Sequence, residues 1–234
     1  MLRVDIWSDV VCPWCHVGKA SFDEAVRRLG WGPADIEIRY RAYELDPSVP
    51  PGGYPLGEYL RRKFGAHASI ESIEGRVTEA GEARGLRFEW GKARRVNTHD
   101  AHRLLAWAWA LGGAAAQAPL KGRLLEAYFA EGRDVADHGE LADLAAAVGL
   151  DREEATAVLA GDGFHDEVRA DRAEARERDV HAVPTFAIAG GMAIPGAQDP
   201  ETYELILTRT RARLATPEGA PAGDACAVDG DAPC

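Results

Sequence analysis

The spacing of apolar residues changes period within the first forty-odd positions. The segment LRVDIW (residues 2–7) alternates apolar and polar side chains, which is typical of a strand. From Phe22 to Leu29 the apolar residues recur three and four positions apart, as on one face of a helix, and Gly30 provides a stop. Alternation returns in ADIEIRYRAY (residues 34–43). The pattern therefore predicts a strand–helix–strand unit.

A long helical block follows. DPSVPPGGYP is a Pro- and Gly-rich break, and helical patterns then run from about Pro47 to residue 178. Most of these segments end at or near glycine: PLGEYLRRKFG, SIESIEGRVTEAGEARG, NTHDAHRLLAWAWALGG, KGRLLEAYFAEG, HGELADLAAAVG and DREEATAVLAG. Residues 164–178 predict a further, charged helix. No fixed repeat is present.

The chain returns to strands near its end. VPTFAIAGGMAIPGA (residues 183–197) reads as two short strands around a Gly190–Gly191 turn. DPETYELILTRTRARL predicts a closing helix, with Asp199 as its N-cap and Pro200 at its first position. The last segment, 217–234, is dominated by Pro, Gly, Ala and Asp, which predicts a tail without its own core.

These elements predict a discontinuous α/β domain. Removing the helical block leaves a central four-stranded sheet flanked by helices, formed by residues 1–46 and 179–216. Residues 47–178 form an inserted all-helical domain, and 217–234 form the tail.

Composition narrows the possible partners. The 234 residues are 46% hydrophobic and carry a formal net charge of −11. Such an acidic chain argues against nucleic-acid and anionic-membrane partners, which require clustered Lys and Arg. No leader pattern and no apolar run long enough to span a membrane is visible. We therefore expect a cytoplasmic protein, and the sequence leaves open whether it is a monomer or a dimer.

The candidate chemistry lies at CPWC, where the first strand meets the first helix. The chain has four cysteines: Cys12, Cys15, Cys226 and Cys234. A C-x-x-C pair serves disulfide exchange, zinc binding or, when His follows, covalent haem attachment. Haem would require export and an axial ligand besides His16. Zinc held by four cysteines would need both pairs at a usual spacing, and only the first has it. Redox chemistry is favoured, with no metal expected.

The position of the pair at a helix start suggests a role for each cysteine. Free backbone N–H groups and the helix dipole favour a thiolate at Cys12, which is therefore the predicted nucleophile, and Pro13 fits a position that needs no N–H. Cys15, one turn further, is the predicted resolving thiol. Trp14 is expected to shape the partner groove. His16 either supports the thiolate in its protonated form or packs locally, and both interpretations stay open.

Two histidines form a second candidate site for a metal ion. His99 and His102 are three residues apart and share a helical face, which would suit a metal ion. No carboxylate motif accompanies them, so packed or solvated helix histidines are the favoured interpretation.

Motifs spread over most of the chain resemble the DsbA family of the thioredoxin-fold superfamily, and its FrnE-like branch in particular. The motifs are S-D-x-x-C-P-W-C-x-x-G-K at 8–19, Y-E-L-D-P at 43–47, N-T-x-D-A-H-R-L at 97–104, E-G-R-D at 131–134, V-P-T-F at 183–186 and G-A-Q at 196–198. The resemblance implies a thioredoxin fold split by a helical insertion, and thiol–disulfide oxidoreductase or isomerase activity.

The resemblance also implies a substrate site. Pro184 would be cis, and the backbone of Val183 would bind a substrate strand near Cys12. Together with Pro13, Trp14 and His16, these residues form the predicted substrate-binding set. No cofactor is expected to be tightly bound; glutathione or another thiol/disulfide couple would be the redox partner, and the substrates would be protein or small-molecule thiols and disulfides.

Two alternatives accompany this prediction. Relatives with the same split fold act as glutathione-dependent isomerases or transferases on small aromatic compounds, and the FrnE-like branch also suggests a polyketide-type substrate. The tail cysteines, Cys226 and Cys234, either form an auxiliary disulfide that exchanges with Cys12–Cys15 or have no redox role. Neighbouring acidic residues would raise rather than lower the pKa of their thiols.

Overall fold

The computed structural model describes residues 1–50, 52–65 and 69–215. Its strands are β1 (Leu2–Ser8), β2 (Ile36–Ala42), β3 (Tyr54–Pro55), β4 (Arg94–Arg95), β5 (Thr185–Ile188) and β6 (Ala193–Pro195). Its helices are α1 (Pro13–Arg28), α2 (Leu56–Phe64), α3 (Ile70–Glu82), α4 (His99–Glu126), α5 (His138–Ala146), α6 (Arg152–Ala160), α7 (His165–Glu177) and α8 (Pro200–Ala215). A π-helical turn, Ala127–Glu131, follows α4.

The main sheet has four strands, as the sequence predicted, and their order is β2-β1-β5-β6. β1 and β2 are parallel, with Leu2 opposite Ile36, and α1 forms the connection between them. β5 runs antiparallel to β1, with Val4 opposite Ile188, and β6 runs antiparallel to β5. The sheet therefore joins the two ends of the chain, bringing residues near 8 and near 184 to one edge.

Alternation along β1 separates two cores. Leu2, Val4 and Ile6 pack with Phe22 of α1 and Tyr203 of α8 on one face of the sheet. Burial of each such side chain contributes roughly 1.5–3 kcal/mol, which explains why the apolar period is clear in the sequence.

The other face of the sheet is covered by α7. Trp7 is completely buried there with Val180, and its indole N–H donates to the carbonyl oxygen of Asp171 at 3.1 Å. The Asp171 carboxylate accepts from Arg41 at 2.8 Å and from the Ala42 N–H at 2.9 Å. α7 is thus fixed to β2 by charge as well as by packing.

β2 is an edge strand, and α4 covers its free edge. The Gln117 amide accepts from the Tyr40 N–H at 2.7 Å and donates to the Tyr40 carbonyl oxygen at 2.9 Å. A single side chain thereby replaces the hydrogen bonds of a neighbouring strand at this point. The same segment of α4 also places Lys121 near the cysteine pair.

Helices α2 to α6 enclose a second hydrophobic core around α4. Leu104, Leu120, Leu124, Phe129 and Leu141 are almost completely buried in it. The sequence predicted two helices where α4 lies, and the chain does break there: Gly113 has φ 59° and ψ −143°, a conformation open to glycine but strained for other residues.

The helical insertion also contains one short pair of strands that the sequence did not predict. β3 and β4 pair antiparallel within it, with Tyr54 opposite Arg95 and Pro55 opposite Arg94. Two residues per strand are too few to leave an alternating pattern, so the pairing could not be read from the sequence. It fixes the backbone of Arg95 beside the cysteine pair.

No helix among the described residues is long and apolar enough to cross a membrane. The predicted tail, with Cys226 and Cys234, lies outside the described residues.

Candidate active site

Cys12 is the N-cap of α1, directly after the loop that leaves β1. Its carbonyl oxygen accepts from the Cys15 N–H at 3.0 Å and the His16 N–H at 3.3 Å, while Pro13 occupies the first helical position. Proline has no N–H to leave unpaired at that position, so CPWC is well suited to begin a helix. Cys12 therefore lies at the junction that the sequence predicted.

Val183 and Pro184, in the loop before β5, lie beside the cysteine pair. The peptide bond between them is cis. Cys12 and Cys15 are both free thiols, and the Cys12 Sγ donates to the Val183 carbonyl oxygen at 3.5 Å. The fold thus brings together residues that are 171 positions apart, four of the predicted site residues among them.

Gly18 permits the close approach of α1 to this loop. A Cβ at that position would lie 3.0 Å from Pro184 Cγ and 3.3 Å from Ala197 Cβ, tighter than ordinary van der Waals contact. The glycine of C-x-x-G-K and the alanine of G-A-Q, both noted in the sequence, therefore meet at Pro184.

The two thiols differ in access. Cys12 is 5% exposed and borders a cavity of about 250 Å³ together with Pro13, Trp14 and Val183. Cys15 is 2% exposed and does not line that cavity. Trp14 is 40% exposed, consistent with the predicted groove-shaping role. An incoming sulfur therefore meets Cys12 first.

The pKa values of the pair are coupled through a hydrogen bond between the two thiols. That bond and burial both raise the pKa of Cys12. Burial also raises the pKa of Cys15, but the bond from Cys12 and the charge of Lys121 outweigh it, so the net shift of Cys15 is downward. The hydrogen bond between the sulfurs and the nearby Lys121 charge thus favour negative charge on Cys15. The backbone N–H of Cys15 lowers the pKa of Cys12, as expected at a helix start, but by less than the effects that raise it. The assignment of Cys12 as the nucleophile stays a prediction.

Asp9 is a completely buried carboxylate in the loop before Cys12. Its two oxygens accept from the Val10 and Leu45 N–H groups, each at 2.8 Å, and Oδ1 lies 3.3 Å from His102 Nε2. Burial raises the pKa of Asp9, but the hydrogen bond and charge of His102, the charge of Arg95 and the Leu45 N–H lower it to about 2. A fixed negative charge therefore lies beneath the pair.

Lys121 brings a buried positive charge from α4. Its side chain is fully enclosed, and Nζ donates to the Ser8 carbonyl oxygen at 3.5 Å. No carboxylate oxygen of the described residues lies within 4.0 Å of Nζ. Burial lowers the pKa of Lys121 to about 8, opposed by the negative charges of Cys15, Asp9 and Cys12. Asp9 belongs to the motif at 8–19 but was given no role there, and Lys121 was not singled out, because nothing in the local pattern shows that either residue lies near the cysteine pair.

His16 lies away from the cavity that Cys12 borders. Its ring stacks on Phe129 with centroids 5.7 Å apart and meets the edge of Phe88 at 5.8 Å. Burial lowers its pKa to about 4, and the charges of Lys19 and Lys121 add to that effect. His16 is therefore neutral at pH 7 and cannot support a thiolate by charge. Of the two interpretations left open, the ring contacts favour local packing. His16 does not line the cavity that Cys12 borders, and its assignment to substrate binding stays a prediction.

The histidine pair on α4 has separate partners. His99 lies 2.7 Å from a ring nitrogen of His165 and 3.3 Å from Glu44, whereas His102 faces Asp9. Across the described residues, no group of three or more His, Cys, Asp or Glu side chains is arranged to hold a metal ion.

The cavity beside Cys12 has mainly apolar walls supplied by the insertion. They include Leu56 and Tyr59 of α2, Val77 of α3, and Trp90 and Phe129. Arg95 of β4 also lines the cavity and was not anticipated from the sequence. Thus the thioredoxin-like unit supplies the sulfurs and the insertion supplies most of the surface that a substrate would contact.

Comparisons with known proteins find the same fold in other chains. The model of the DSBA-like thioredoxin domain family matches residues 3–208. A solved structure of a "probable DsbA oxidoreductase", SCO1869 from Streptomyces coelicolor, is 34% identical, with a TM-score of 0.82 over 100% of both chains. The uncharacterized protein YwbO of Bacillus subtilis is 27% identical over 218 residues, covering 87% of this chain and 94% of its own.

A more distant structure shares the fold. The cytosolic disulfide reductase DsbM from Pseudomonas aeruginosa is 20% identical, with a TM-score of 0.66 over 91% of this chain and 100% of that one. DsbM has also been solved with GSH.

Proposed function

The chain belongs to the family of DSBA-like thioredoxin domains, a family of thiol–disulfide oxidoreductases, and from that premise we propose that it exchanges disulfides through Cys12 and Cys15. The observation that carries the proposal is the geometry of the pair. Cys12 borders an apolar cavity at the start of a helix, and Cys15 lies one turn deeper and fully enclosed. Attack from the accessible sulfur and resolution by the buried one follow from this arrangement.

The first step forms a mixed disulfide. The proton of Cys12 passes to the Cys15 thiolate along the hydrogen bond between the sulfurs, and the Cys12 thiolate attacks one sulfur of a substrate disulfide. The substrate S–S bond breaks, and its other sulfur leaves as a thiolate. Cys12 is then bonded to the remaining half of the substrate.

The second step releases that half. Cys15 loses its proton again, and its thiolate attacks the Cys12 sulfur, so the second substrate thiolate leaves as the Cys12–Cys15 disulfide forms. Two electrons have passed from the protein dithiol to the substrate. The same steps in reverse oxidise a substrate dithiol.

Turnover requires a second thiol/disulfide couple to restore the starting state. We propose glutathione or a comparable couple in the cytoplasm, with no tightly bound cofactor. The structure of DsbM with GSH supports glutathione as a partner for this fold. The motifs quoted from the sequence support placement in the FrnE-like branch.

Substrates are proposed to bind across Pro13, Trp14, Val183 and Pro184. The first three line the cavity beside Cys12, and Pro184 is joined to Val183 by the cis bond. An extended peptide could pair with the Val183 backbone as an added strand, and an apolar small molecule could fill the cavity.

Two serine variants test the roles of the cysteines. Cys12→Ser is expected to exchange disulfides only at the uncatalysed rate, because it lacks the accessible nucleophile. Cys15→Ser is expected to accumulate a mixed disulfide at Cys12, because the resolving thiolate is missing. Mass spectrometry after incubation with oxidised glutathione measures both. If glutathione adducts form on Cys12→Ser and not on Cys15→Ser, the roles of the two cysteines are reversed. If neither variant forms an adduct, the mechanism is contradicted.

A second candidate function is a glutathione-dependent isomerase or transferase acting on a small aromatic or polyketide-type substrate. The aromatic cavity walls, Tyr59, Trp90 and Phe129, favour it. Such a reaction needs no resolving thiol, so its activity would survive Cys15→Ser and would depend strictly on glutathione. Reduction of a substrate disulfide by the cysteine pair, by contrast, would stop at the mixed disulfide in that variant.

A further inference from the structure

Arg95 is a buried cation, and two of its three side-chain nitrogens have no hydrogen-bond partner. The residue is 1% exposed, and neither Nε nor Nη2 has a hydrogen-bond partner. The central carbon of its guanidinium lies 4.3 Å from the centre of the Tyr59 ring, a cation–π contact that does not pair Nε or Nη2 with an acceptor. Buried donors are nearly always paired, so this arrangement indicates a missing acceptor.

The backbone around Arg95 is fixed so that its side chain must point inward. Arg95 pairs with Tyr54 across β3 and β4, and the Tyr128 hydroxyl donates to the carbonyl oxygen of the preceding Arg94 at 2.6 Å. The Arg94 side chain is exposed and donates to the Gly52 carbonyl oxygen at 2.7 Å. Alternation along the strand therefore directs Arg95 into the cavity that Cys12 borders.

Nearby carboxylates do not fill the missing role. Both oxygens of Asp9 are already engaged by backbone N–H groups and His102. Glu74 also lines the cavity, but no carboxylate oxygen of the described residues lies within 4.0 Å of an Arg95 nitrogen. Arg95 thus lines a mainly apolar cavity while two of its donor nitrogens, Nε and Nη2, stay unpaired.

We propose that Arg95 binds the carboxylate of an apolar, aromatic-sized thiol or disulfide substrate whose sulfur is presented to Cys12. A guanidinium pairs with a carboxylate through two parallel hydrogen bonds, and the apolar walls would enclose the rest of the molecule. The cavity of about 250 Å³ suits a substituted ring rather than a folded chain segment. This inference rests on the proposed function, since it specifies the substrate class of that same site.

The wild-type protein gives the first test. Two symmetrical aromatic disulfides are compared, one with a carboxylate on each ring and the other with a carboxamide in its place. The reduced protein is expected to react with the carboxylate at least about tenfold faster, because a charge-assisted bond at a buried site is worth that much or more. Equal rates, or a faster reaction of the amide, would overturn the inference.

Variants of Arg95 test whether this residue causes the preference for the carboxylate over the carboxamide. Arg95→Gln is expected to reduce the ratio of the two rates to about one, and Arg95→Lys to leave an intermediate ratio, since it retains the charge without the paired donors. Arg94→Gln is the matched control, because it removes the same charge from the exposed neighbour and should retain the full ratio. A ratio that Arg95→Gln leaves unchanged would contradict the role of Arg95.

Binding without chemistry separates this inference from the proposed function. An aryl carboxylate without sulfur and its carboxamide are titrated into the wild-type protein by calorimetry, and only the carboxylate is expected to bind. If the protein reacts with neither disulfide, the proposed function fails, but carboxylate-specific binding would still support Arg95. Failure of both carboxylate and amide to bind would overturn the inference.

The same titration distinguishes two sources of the carboxylate. A dipeptide ending in phenylalanine is compared with its amidated form and with the aryl acid. Tighter binding of the aryl acid supports the proposed small molecule. Tighter binding of the free dipeptide would overturn that choice and assign the site to peptide C-termini.

Discussion

At the residue scale, the cysteine pair lies between two buried charges of opposite sign. Asp9 beneath it is ionised throughout the physiological range because its pKa is lowered to about 2. Lys121 is enclosed without a carboxylate partner within 4.0 Å among the described residues, and its charge lowers the pKa of Cys15. Burying a lysine without a carboxylate partner lowers the stability of the fold. Such groups are found at functional sites, which agrees with a role for Lys121 in setting the pKa of the thiols.

Replacing Lys121 by methionine should raise the pKa of the Cys15 thiol. Methionine fills a similar volume, and the change removes the positive charge that favours the thiolate. We expect the ultraviolet absorbance of the thiolate to titrate at higher pH, and alkylation at pH 7 to slow about tenfold for each unit by which the pKa rises. Mixed disulfides at Cys12 should also resolve more slowly.

The control for that experiment is Lys92→Met, which removes the same charge from an exposed position. Its thiolate titration should match that of the wild-type protein. An unchanged titration in Lys121→Met would show that the lysine does not influence the pair.

The sequence anticipated the reactive residues better than their surroundings. Cys12 and Cys15 could be singled out because their spacing and their place at a helix start are local features. Lys121 is twenty-odd residues along a helix from His99 and more than a hundred from Cys15, so its position depends on how α4 packs. The inward direction of Arg95 depends on a strand pair too short to show in the sequence.

At the scale of elements, the contact between α1 and the Val183–Pro184 loop sets the geometry of the site. Gly18 to Ala is expected to destabilise the fold by about 1–3 kcal/mol, because the added methyl group overlaps Pro184 and Ala197. Displacement of Pro184 should also slow disulfide exchange. Urea unfolding and exchange rates measure the two effects.

A matched glycine gives the opposite expectation. Gly75 in α3 is exposed, and a Cβ there would meet nothing within 4 Å. Gly75→Ala should therefore stabilise the protein by roughly 0.5–1 kcal/mol, with exchange unaffected. Equal effects of the two substitutions would show that the approach at Gly18 has no role.

Periodicity predicted most elements correctly, including the hairpin around Gly190–Gly191 and the helix that begins at Pro200. These segments bury one face against a single core, and such burial leaves a regular pattern in the sequence. β3 and β4 have two residues each, too few to show an apolar pattern of their own. Their pairing could therefore not be predicted from the sequence.

At the scale of the whole molecule, the site is shared between two cores. The strand–helix–strand unit and the hairpin supply Cys12, Cys15 and Pro184, while the insertion supplies Lys121, Arg95 and most of the cavity walls. Substrate preference and thiol reactivity can therefore be altered by the insertion without changing the CPWC motif.

The reduction potential of the Cys12–Cys15 pair tests the central claim most directly. Full-length protein and a chain truncated before Cys226 are equilibrated with glutathione buffers, and the fraction of disulfide is measured by alkylation and mass spectrometry. We predict one two-electron transition at Cys12–Cys15 in both proteins, within the range from about −270 mV for thioredoxin to about −120 mV for DsbA. A pair that cannot be oxidised, or a transition that disappears with the tail, would contradict the account.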